Sequence, residues 1–78
     1  MKVQSYIHEI DGIKILINYV GGSGPLDITA WDEEGNTLSM TKHDATQAMF
    51  ENLKDSDHEI IQAAVRRLKE GDIGTQEE

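Results

Sequence analysis

Reactive groups are few in this 78-residue chain: three histidines, a run of three carboxylates and one glycine-rich loop. His8 falls in a β-rich segment, and His43 and His58 fall in what read as the first turns of helices. A zinc site needs three or four ligands converging at about 2 Å. The chain has no HxH or HxxxH spacing and no cysteine. No metal site is expected, and the histidines read as solvated residues of turns and strands. Asp32, Glu33 and Glu34 offer paired carboxylates for general acid–base work. They sit in one turn beside Gly35, and a catalytic carboxylate needs a partly desolvated cleft to raise its pKa. A charged, solvated turn is the expectation there. Gly21-Gly22-Ser23-Gly24-Pro25 invites a phosphate-loop reading. Phosphate loops lead into a helix N-terminus and continue with Lys-Ser/Thr. This loop leads into another strand and reads as a flexible connection. No GxSxG elbow is present. The sequence therefore predicts no enzyme and no cofactor.

Charge is the stronger signal. The chain carries a net charge of −8, and nine of its acids lie between Asp27 and Glu59, against Lys42 and Lys54. Residues 1–26 balance to zero. A pI near 4.6 argues against direct binding to DNA or RNA, because phosphate neutralisation needs clustered Lys and Arg. Such an acidic block serves solubility, or it meets a basic partner. The longest apolar run falls far short of the ~20 residues that span a bilayer. The N-terminus has no signal-peptide core. A cytoplasmic protein is the expectation, with no membrane contact.

The elements that would position these charges follow from periodicity. Val3–Ile10 and Ile13–Val20 flank Asp11-Gly12, a hairpin signal, because a type I′ turn needs positive φ at both central residues. Ile13, Ile15, Ile17 and Tyr19 alternate onto one face. A third strand, Leu26–Glu33, puts Leu26, Ile28 and Ala30 on one face and Asp27, Thr29 and Trp31 on the other. A fourth short strand runs from Thr37 to Met40. Thr41-Lys42-His43-Asp44 resembles a capping box that opens a helix running to about Lys54. Ala45, Ala48, Met49 and Leu53 form its stripe, with Phe50 at the margin. Ser56-Asp57-His58-Glu59 resembles a second capping box. The helix after it carries Ile60, Ile61, Ala64, Val65 and Leu68, and Gly71 takes the left-handed position at its end.

The fold class is therefore α+β, ββββαα. A four-stranded antiparallel meander is followed by two helices packed on one face. Residues 1–71 make the domain, and 72–78 a flexible acidic tail. Trp31 then falls on the outer sheet face among acids. It serves there as an interface anchor or joins an outer cluster with Tyr6, Leu16 or Val20.

Size, acidity and strand-then-two-helix order together make the chain similar in outline to small phage-encoded inhibitors, including some anti-CRISPR proteins. That resemblance implies a non-enzymatic protein that occupies a basic surface of a nucleic-acid-handling partner. Asp27, Trp31, Asp32, Glu33 and Glu34 are the expected contact residues. The alternative is a homodimeric or accessory domain, paired through its exposed sheet face or edge.

Overall fold

In the computed structural model, which describes residues 3–21, 24–71 and 74–77, seven elements follow one another. They are β1 (Gln4–Ile10), β2 (Ile13–Tyr19), β3 (Leu26–Trp31), β4 (Thr37–Lys42), α1 (Gln47–Asn52), α2 (Glu59–Lys69) and β5 (Gly74–Glu77). The first four strands form the expected antiparallel meander, and both helices follow them. The ββββαα reading holds.

One strand is added to it. Residues Gly74–Glu77 pair in parallel with β4, where the sequence led to a tail beginning at residue 72. Residues 72, 73 and 78 of that tail lie outside the described residues, as do Gly22 and Ser23 of the glycine-rich loop. A parallel neighbour needs a crossover connection, because a tight turn can only return the chain antiparallel. The two helices are that connection.

The core follows the alternation of the strands. Ile13, Ile15, Ile17 and Tyr19 of β2 are buried, as are Leu26, Ile28 and Ala30 of β3 and Leu38 of β4. From α2 come Ile61, Ala64, Val65 and Leu68, at the spacing that lines one helix face. The register of β1 sets Tyr6 opposite Ile17 and His8 opposite Ile15. Tyr6, His8 and Ile10 therefore share the inner face, and Val3 and Ile7 point outward, 61% and 70% exposed.

The helix starts differ from the capping-box readings. Lys42 still belongs to β4, so Thr41 is a strand residue, and its hydroxyl donates to Asp27 Oδ1 at 2.9 Å. α1 begins five residues later, with Thr46 as N-cap and its Oγ1 accepting from the Met49 amide at 3.2 Å. The strand ladder outcompeted the local cap, since β4 gains a partner on each side. With the start moved, Ala48 is exposed, while Phe50 and Leu53 are buried. α2 is capped by His58 rather than Ser56, and His58 Nδ1 accepts from the Ile60 amide at 3.1 Å. Asp55 Oδ1 takes the Asp57 amide at 2.9 Å, and this local turn displaces the expected box.

The first hairpin turn is as expected. Asp11 has φ 52° and Gly12 φ 79°. A side chain at residue 12 would be strained by its φ and would also meet Glu33 Oε1 at 3.3 Å. Gly12→Val should therefore lower the unfolding free energy by about 1–2 kcal/mol or more, read from chemical denaturation. A variant as stable as the parent would contradict this turn geometry.

Candidate functional site

Both helices lie on one face of the sheet, so the other face is uncovered among the described residues. Trp31 stands on that outer face, half-buried, opposite Lys14 of β2 and Thr37 of β4. Tyr6 does not join it. The Tyr6 ring lies on the inner face, stacked on Phe50 with centroids 4.5 Å apart. Of the partners considered for Trp31, Leu16 shares its face.

At the end of the sheet beside Trp31, two hairpin tips meet. The Asp11-Gly12 turn and the 32–36 turn are neighbours, with the Glu33 side chain reaching over Gly12. Lys69, in the last turn of α2, reaches the same end and pairs with Asp11 at 2.8 Å. Both members of that pair are at least half exposed, so it contributes little to stability. A shallow hollow of about 380 Å³ opens here, lined by Glu9, Gly12, Lys14, Trp31, Asp32 and Glu33. Its walls are one indole and three carboxylates, with one ammonium.

The three turn acids are not equivalent. Asp32 points inward on its own turn. Its Oδ1 accepts from the amides of Glu34 and Asn36, each at 2.9 Å, and its Oδ2 accepts from Asn36 Nδ2 at 3.0 Å. Gly35, at φ 89°, lets the chain close around it. The side-chain hydrogen bond from Asn36, helped by backbone amides, holds the Asp32 carboxyl below its ordinary pKa. Asp32 is thus a turn-former, and a free charge is supplied by exposed Glu33 and Glu34. The sign of the pH effect follows. A depressed folded-state pKa gives stability that is present above the unfolded value of about 4 and fades as pH falls through the folded pKa. Asp32→Ala should lower the melting midpoint at neutral pH. The gap from the parent should narrow as pH falls through the folded-state pKa, because the parent carboxyl then loses its charge. An equal gap above and below that pKa would show that Asp32 acts through packing alone.

Asp27 is not part of this end. It pairs with Asn18 and Thr41 near the start of β3, at the opposite end of the strand from Trp31. The acids continuous in sequence are therefore dispersed in space. Asp32, Glu33 and Glu34 occupy one end, Asp27 and Asp44 flank the other, and Asp55 and Asp57 lie in the turn between the helices. Glu9 and Asp11, outside the acidic block, complete the first group.

Two of the three histidines, His8 and His58, are structural rather than merely solvated. His8 Nε2 bonds the Leu53 carbonyl at 2.8 Å and ties β1 to the end of α1. His58 caps α2. Among the described residues, no group of three or more His, Cys, Asp or Glu side chains is placed to hold a metal ion. A second hollow, of about 210 Å³, lies between the sheet and the α1–α2 junction. Leu26, Ile28, Met40, Met49, Leu53 and Ile60 form its apolar wall. It brings no acid–base pair together and reads as a packing gap at the rim of the core. No helix among the described residues is long and apolar enough to cross a membrane.

Comparison with protein-family models, with curated proteins and with solved structures finds no match to this chain. The class that can be stated is a small α+β domain with one covered and one open sheet face. Its functional reading rests on its own geometry.

Proposed function

We propose that this chain is a non-enzymatic binding protein that engages a basic surface of a nucleic-acid-handling protein, as a small inhibitor would. The observation that carries this reading is the hollow beside Trp31, whose lining sets the carboxylates of Glu9, Asp32 and Glu33 against the single ammonium of Lys14. A protruding Arg or Lys of the partner fits such a hollow. Its cation would lie near the aromatic ring and meet the carboxylates at the rim. Glu33 and Glu34 would steer the encounter over distance, and Trp31 would supply the desolvated contact that slows release. Asp27 takes the part of a peripheral charge, and Asp32 shapes the turn that presents its neighbours.

The test is capture of the partner with the tagged full chain, identification by mass spectrometry, and competition with duplex DNA or RNA. The expected result is a partner with a basic nucleic-acid-binding face, displaced by nucleic acid and released as salt rises. A partner held equally well with competing nucleic acid at high salt would overturn the reading.

A further inference from the structure

The sheet has two edges, β1 and β5, and among the described residues β1 carries one charge, Glu9, and no other device that blunts an edge. It is seven residues long, Gln4–Ile10, with no proline, no lysine and an unbroken register against β2. The two-residue turn closes on the Ile10–Ile13 pair, so the hydrogen-bonded positions toward β2 are Gln4, Tyr6, His8 and Ile10. The backbone N–H and C=O groups of Ser5, Ile7 and Glu9 therefore point away from the sheet. The large hydrophobic side chains exposed among the described residues, Val3 and Ile7, lie on or beside this same strand.

We propose that β1 pairs antiparallel with β1 of a second copy, about a two-fold axis at Ile7, and joins two sheets into one. An unpaired row of backbone donors and acceptors specifies a strand as the occupant. The side chains point to this strand in particular. With the axis at Ile7, the outward backbone groups of Ile7 meet those of its own copy, and the two isoleucines come together on the open face. Ser5 stands opposite Glu9 of the second copy, so no like charges oppose one another. Charge favours the same edge. Residues 1–26 balance to zero while residues 27–59 hold most of the net −8, so two copies approach with least repulsion along β1. The pairing uses the backbone of Glu9, whose side chain also lines the hollow beside Trp31, so the two surfaces adjoin at that residue, and failure of the dimer would leave the proposed function standing.

Sedimentation velocity of the full chain over a concentration series tests it. The expected result is a monomer–dimer equilibrium that tightens as salt rises, because salt screens repulsion between two acidic copies. Binding to a basic partner would respond to salt in the opposite sense. Ile7→Lys sets two ammonium groups against each other and should abolish the dimer, with a melting curve like the parent's, since Ile7 is 70% exposed. Ser5→Pro removes an outward N–H that β2 does not use, and should weaken the dimer similarly. Glu34→Lys, at the 32–36 turn, should leave it intact. A chain that stays monomeric to about millimolar concentration at high salt would overturn the proposal. So would an Ile7→Lys protein that dimerises like the parent, or that loses its fold.

Discussion

Phe50→Ala should cost this domain about 3–5 kcal/mol, a large part of what a chain of this size has to lose. Phe50 is 1% exposed and lies between two tyrosines, stacked on Tyr6 at 4.5 Å and on Tyr19 at 5.4 Å. It is the main apolar anchor of α1, which is only six residues long. A helix that short has no stability of its own and exists by docking. Besides the exposed Gln4–Gln47 side-chain pair, its ties include the His8–Leu53 bond and the Tyr19 hydroxyl, which donates to the Ala45 carbonyl at 3.1 Å. Both depend on α1 staying where Phe50 holds it. At roughly 4–8 °C per kcal/mol for a domain of this size, the melting midpoint should fall by more than about 12 °C. Phe50→Leu keeps part of the volume and should lose clearly less. If circular dichroism shows a shift of only a few degrees for Phe50→Ala, α1 is not seated between those rings.

The reason Phe50 stood at the margin of its helix in the sequence is instructive. A threonine and an aspartate three residues apart, Thr41 and Asp44, look like a cap, and a helix begun there rotates Ala45, Ala48 and Met49 inward. The ladder bonds available to β4 from β3 and β5 were not visible locally. They carry the strand through Lys42, and the helix phase shifts with its start. The β5 strand itself has no sequence signal. Gly-Thr-Gln-Glu has no apolar alternation, and its pairing is a backbone matter set by where α2 returns the chain. By contrast β2, β3 and α2 bury one full face each, and their period of 2 or 3.6 was legible residue by residue.

The candidate site was half legible for a similar reason. Alternation along β3 put Trp31 on the face away from Ile28 and Ala30, and the structure keeps it there. Adding up charge along the chain drew in Asp27, which the sheet carries to the far end, and passed over Asp11. Yet in any up-and-down meander the first and third turns share an end. The pairing of Asp11-Gly12 with the 32–36 turn was thus a consequence of topology. What no spacing could show is that Asp32 spends its carboxylate on three hydrogen bonds within its own turn.

That distinction sets the charge-reversal experiment. Reversing Asp32 would dismantle the turn and confuse stability with recognition, so the informative variant is Glu33→Lys with Glu34→Lys. Both side chains are exposed, and the melting midpoint should move little. The net charge rises by four units from −8, at the end of the sheet where the proposed partner docks. Steered association exceeds the unsteered rate by about tenfold to a thousandfold at low salt. The double variant should therefore associate at least about tenfold more slowly with the captured partner at low ionic strength, and the gap should shrink as salt screens both proteins. Trp31→Ala should act on the other rate. Loss of a desolvated aromatic anchor costs about 2 kcal/mol or more, which is roughly thirtyfold faster dissociation with association nearly unchanged. Surface-binding kinetics at two salt concentrations separate the two effects. An unchanged association rate for the double variant at low salt would mean that these acids keep the protein soluble and take no part in recognition. The open face and the β1 edge would then be the surfaces left to carry its interactions.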